Sequence, residues 1–68
     1  MSLAKVFDLT DAQASRVRGL LRDGWHIKGF YLPFELDHHV KQVELYHEDG
    51  SFPDVFVLAN GVIEGFYV

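Results

Sequence analysis

A single segment of this chain has the repeat of a helix, and almost everything after it has the composition of strand, within only 68 residues. That proportion is the strongest constraint on the fold. Thr10-Asp11-Ala12-Gln13 has the form of a capping box, in which the Thr10 hydroxyl accepts from the Gln13 amide and the Gln13 side chain reaches back. Asp11 suits the positive end of the helix dipole and Arg22 the negative end. Ala14, Val17, Leu20 and Leu21 recur at steps of three and four and form one apolar stripe, so all three larger side chains are expected to be mostly buried. Gly24 is placed to end the helix in a left-handed conformation, with Trp25 packing back on its last turn. The helix is therefore expected over residues 11–23.

Residues 3–9 alternate, with Leu3, Lys5, Phe7 and Leu9 on one side, and are read as a short first strand. Residues 25–34, 40–47, 54–59 and 62–68 are rich in β-branched and aromatic side chains and read as four further strands. Asn60-Gly61 is a strong signal for a two-residue type I′ hairpin. Such a turn sets Ala59 opposite Val62, Val57 opposite Glu64, Val55 opposite Phe66, Leu58 opposite Ile63 and Phe56 opposite Gly65. A loop over residues 35–39 sets Tyr31 against Val43 and Gly29 against Leu45. The expected architecture is α+β: one helix on an antiparallel meander of four to five strands, in the order β-α-β-β-β-β, forming one small domain over residues 1–68.

These registers leave both faces of the sheet apolar. The helix is expected on the face bearing Ile27, Tyr31, Val43, Leu45, Val55 and Phe66, which has the fewest charges. The second face would then carry Phe30, Leu32, Tyr46, Phe56, Leu58, Ile63 and Tyr67. One helix cannot cover both. A monomer seldom exposes an apolar patch beyond a few hundred Å², so this second face is expected to bind a partner, another protein or a second copy in a two-fold homodimer. The competing expectation is that residues 3–9 or the 48–53 loop fold across it. Size adds weight to a partner, because a domain this short buries only about 60% of its unfolded surface.

The chemistry-bearing residues are sparse. With Cys at zero, there is no disulfide framework, thiolate metal site or cysteine nucleophile. Ser2, Ser15 and Ser51 lack a nucleophile elbow, and the glycines have no phosphate-binding spacing. His38 and His39 in the loop, and His26 and His47 at the other end of the hairpin, read as two separated pairs rather than as three converging metal ligands. No catalytic residues, cofactor or metal are assigned, and the chain is not expected to be an enzyme. Arg16, Arg18 and Arg22 concentrate positive charge on the helix and offer nucleic-acid binding as the first alternative, with sheet aromatics to stack bases; a small metal-binding protein or enzyme is the second. The balance of 6 Lys and Arg against 10 Asp and Glu, a formal net charge of −4, opposes it. The apolar runs are too short to span a membrane. The start lacks the apolar stretch of a secretory signal, with residues 1–3 readable as an expression leader. A cytoplasmic location follows as the expectation.

Overall fold

The computed structural model describes residues 2–31 and 41–65. Two helices, α1 (Leu3–Phe7) and α2 (Asp11–Arg22), precede four strands, β1 (Trp25–Tyr31), β2 (Gln42–His47), β3 (Val55–Val57) and β4 (Ile63–Gly65). The strands form one antiparallel sheet in the order β1-β2-β3-β4, with α2 packed on it. The α+β meander read from the sequence is the observed architecture.

Its first element is a correction. Residues 3–7 are helical, not a strand. Leu3, Ala4 and Phe7 fall on one helical side and pack on the core, whereas alternation would send Ala4 away from Leu3 and Phe7. The Ser2 hydroxyl caps the start by accepting from Lys5 N at 3.3 Å. Asp8 ends the turn in the left-handed region at φ 57°, and the Lys41 ammonium donates to Phe7 O at 2.6 Å.

Helix α2 follows its sequence signals at both ends. Thr10 and Gln13 form the reciprocal capping box. Asp23 N donates to Leu20 O, and Gly24 takes a positive φ of 92°. The core beneath α2 consists of Leu9, Ala14, Val17, Val43, Leu45 and Val57, with Ile27, Val55 and Leu20 partly buried around it. Leu21 departs from expectation. It is 36% exposed in the last turn of α2, whereas Val17, one turn earlier on the same face, is fully buried. Gln13, by contrast, is fully buried, and its amide donates to the carbonyls of Lys41 and Val57. One glutamine thus caps the helix and ties its first turn to the sheet.

Two register findings move side chains between faces. Along β1, Ile27 pairs with Leu45 but Gly29 pairs with Glu44, leaving Lys28 as the extra residue of a bulge. Beyond it the faces exchange. Phe30, not Tyr31, lies opposite Val43 on the helical side, where its ring meets Phe7 at 5.2 Å, and Tyr31 lies opposite Gln42 on the other side. At the last hairpin, Leu58 N donates to Val62 O at 2.9 Å and Gly61 N donates to Leu58 O at 2.8 Å. The loop therefore has three residues, with Gly61 at φ 85° and Asn60 outside the left-handed region. A type I′ turn is excluded, since it needs positive φ at both central residues. Val57 consequently pairs with Ile63, Phe56 with Glu64 and Val55 with Gly65, one residue away from the expected register. Phe66, expected opposite Val55, lies outside the described residues.

This loop is held against α2. The Thr10 hydroxyl donates to Ala59 O and Arg16 Nε donates to Gly61 O at 3.1 Å. A Cβ at Gly61 would come within 3.0 Å of Ala12 O as well as carrying the left-handed backbone. Gly61→Val is expected to cost about 1–3 kcal/mol and to lower the melting temperature. An unchanged melting temperature would contradict this account of the loop.

Candidate functional site

Both helices lie on one side of the sheet. So does Phe52 from the 48–53 segment, whose ring contacts His47 at 4.8 Å and Trp25 at 6.0 Å. Trp25 pairs with His47 and shares the side of Ile27 and Leu45 by strand alternation. Residues 3–7 and Phe52 pack on the helical side rather than across the second face, while Glu48 of the 48–53 segment meets His26 on that face at 3.0 Å.

The second face is built by three cross-strand rows. His26 pairs with Tyr46, Tyr31 pairs with Gln42, and Glu44, Phe56 and Glu64 lie side by side across β2, β3 and β4. Tyr31 is 53% and Tyr46 41% exposed, and Phe56 is half-buried between its neighbours. The Tyr31 and Phe56 rings meet edge-on at 6.4 Å. Together with Gln42, Glu64 and Gly65 they line a cleft of about 400 Å³. The His26 ring stacks near Tyr46 at 5.4 Å and meets the Glu48 carboxylate at 3.0 Å. Alternation from Phe56 puts Leu58 on this side as well.

Five of the seven expected partner-face residues can be placed. Tyr46, Phe56 and Leu58 belong to the second face. Phe30 and Ile63 belong to the helical side, moved there by the bulge and by the three-residue loop. Leu32 and Tyr67 lie outside the described residues. Tyr31 and Glu64 were missed: Gly29 inside β1 is the signal for the bulge that moves Tyr31, since a glycine within a strand often marks one, and a three-residue Ala59-Asn60-Gly61 loop would have found Glu64.

Charge is distributed unevenly over the two layers. Residues 2–23 carry Lys5, Arg16, Arg18 and Arg22 against Asp8, Asp11 and Asp23. The described strands and their loops carry Lys28 and Lys41 against Glu44, Glu48, Asp49, Asp54 and Glu64. On the second face Lys28 Nζ sits 2.7 Å from Asp54 and 3.7 Å from Glu44. The hydrogen bond and charge of Asp54, followed by the charge of Glu44, raise the Lys28 pKa above its ordinary value of 10.5. The stabilisation from this pair is full below 10.5 and is lost as pH rises through the folded-state value. Asp54→Asn is expected to bring the Lys28 titration, followed by NMR, down toward its ordinary value; no movement would contradict the assignment. Glu64 has no cation opposite it among the described residues.

The three arginines do not form one patch. Arg18 and Arg22 stand one helical turn apart, while Arg16 is diverted to the Gly61 carbonyl. A second cavity, about 480 Å³, lies between Gly19 and Leu20 of α2 and Asn60, Gly61 and Ile63. It exists because α2 packs over β1 and β3 and leaves Ile63 38% exposed.

His47 is structural. Its Nε2 lies 3.0 Å from Asp23 O and its Nδ1 accepts from Asp49 N at 3.2 Å, so the ring joins the end of α2 to the turn after β2. His26 is on the opposite face of the same hairpin end, so the two do not pair; His38 and His39 lie outside the described residues. Among the described residues no three His, Asp or Glu side chains are grouped as metal ligands. No helix there is long and apolar enough to cross a membrane.

Comparison with protein-family models gives no match, and neither curated proteins nor solved structures match the chain.

Proposed function

We propose that this chain is a non-catalytic interaction module whose second sheet face receives another protein. The supporting observation is that α1, α2 and Phe52 all pack on one side, leaving Tyr31, Tyr46 and Phe56 on the other among the described residues. Tyrosines suit such a role, since each offers a large rigid surface and a polar end that is stable in water when no partner is bound. Its cysteine-free composition fits a reducing compartment such as the cytoplasm.

Charge bears on which partner. A homodimer with these faces stacked would oppose Glu44, Asp54 and Glu64 to the same three carboxylates, with one Lys28 from each copy between them. Like charges brought together at an interface cost several kcal/mol. A partner of different chemistry is favoured over a second copy. Phosphate-rich nucleic acid is disfavoured by the same carboxylates, and the helix offers it only Arg18 and Arg22 side by side.

The test is a photo-reactive amino acid placed at position 46 or, separately, at position 18, in cells that make the chain. The reading expects discrete protein adducts from position 46 and none from position 18. Adducts from position 18 alone would overturn it, and an adduct of twice the chain's mass from position 46 would make the partner a second copy.

A further inference from the structure

We infer that the cleft between Tyr31, Phe56 and Glu64 holds an arginine side chain from a basic segment of the partner protein. This rests on the second face being the interaction surface and names the chemistry it selects. Three observations converge on it. The walls are the Tyr31 and Phe56 rings, set at 65° with centroids 6.4 Å apart, and the Tyr31 ring, 53% exposed, offers the surface for stacking. The Phe56 position is flanked across the sheet by Glu44 on one side and Glu64 on the other. Of these carboxylates, Glu44 already meets Lys28 at 3.7 Å, whereas Glu64 is exposed and meets no cation among the described residues.

A planar guanidinium meets all of these features together. It stacks on an aromatic ring while its donor fork reaches a carboxylate, and it is more weakly hydrated than an ammonium. Gln42, which also lines the cleft, adds an amide oxygen that can accept from the same group. The volume, about 400 Å³, is ample for one such side chain. A hydrophobic anchor would fit the rings but leave Glu64 desolvated without a partner, which is costly. Phosphate or an acidic segment would meet Glu44 and Glu64 with like charge.

The experiment is an NMR titration of the isotope-labelled full chain with short oligoarginine, oligolysine and oligoglutamate peptides at low salt. Oligoarginine is expected to shift Tyr31, Gln42, Phe56, Glu64 and Gly65 most, to bind more tightly than oligolysine, and to weaken as salt is added. Oligoglutamate should give no shifts. Glu64→Gln and Tyr31→Ser are each expected to weaken oligoarginine binding about fivefold. Asp11→Asn, which changes net charge equally but on the helical side, should leave it unchanged. Equal weakening by Asp11→Asn and Glu64→Gln would overturn the inference by showing only general charge attraction. Shifts confined to His26 and Tyr46 would also overturn it while retaining the second face as the interaction surface. Shifts confined to α2 would overturn both.

Discussion

Gln13→Leu is expected to destabilise the domain by about 3 kcal/mol, although the two side chains are similar in size. The substitution removes the acceptor for Thr10 N, which sits 3.3 Å from Gln13 Oε1. It also removes the donor to Val57 O at 3.0 Å and to Lys41 O. Losing the hydrogen bond from Thr10 N costs about 0.5–1.5 kcal/mol, and leaving a buried acceptor without its donor costs about 1–3 kcal/mol. A chain of this length has a total stability of roughly 3–10 kcal/mol, so a large unfolded fraction is expected. Gln13→Glu adds a signature in pH. The carboxylate keeps the cap acceptor but faces two carbonyls in a fully buried position, so its folded-state pKa should be raised. A raised acid pKa means the folded variant prefers the protonated form. Its deficit against the parent should therefore be smallest at acid pH and grow as pH rises above about 4.3, the unfolded value. Denaturant unfolding across pH reads both results. A Glu variant with a deficit independent of pH would contradict the buried placement.

Leu45→Ala is expected to cost about 2–5 kcal/mol, and Leu21→Ala less than about 1 kcal/mol. Both are leucines in apolar patterns that read alike. Leu45 is fully buried on β2 beneath α2, between Ile27 and Val55 in the sheet, and truncation there leaves a cavity. Leu21 is 36% exposed at the edge of the stripe. Denaturation midpoints of the two variants against the parent decide the matter. The reverse order would place α2 on the sheet through the wrong side.

What the sequence revealed was local. The capping box, the stripe through Val17 and the left-handed Gly24 each depend on residues within one or two turns, and α2 formed as those signals require. The alternation that buries Val43, Leu45 and Val57 was equally legible. Residues 3–7 failed because a segment so short satisfies two periods at once. Leu3 and Phe7 share a face in a strand and in a helix alike, and only Ala4 and the Ser2 cap separate the cases.

The candidate face was harder to read because face assignment is a property of register, and a slip of one residue reverses it. The bulge at Lys28 and the third residue in the Ala59-Asn60-Gly61 loop each produced such a slip. Between them they exchanged Tyr31 for Phe30 and Glu64 for Ile63. The second face is accordingly more polar and more acidic than alternation alone suggested. That difference is the ground for proposing a basic protein segment, rather than a second copy, as the partner.

Helices cover one face of the sheet and leave the aromatic second face open among the described residues. This is tested by NMR of the isolated chain with a soluble paramagnetic agent, on a sample whose light-scattering mass is the 7.8 kDa of one chain. The account predicts strong broadening of the Tyr31 and Tyr46 ring signals and protection of the Val17, Leu45 and Val57 methyls. Tyrosine rings as protected as those methyls, at the mass of one chain, would contradict it.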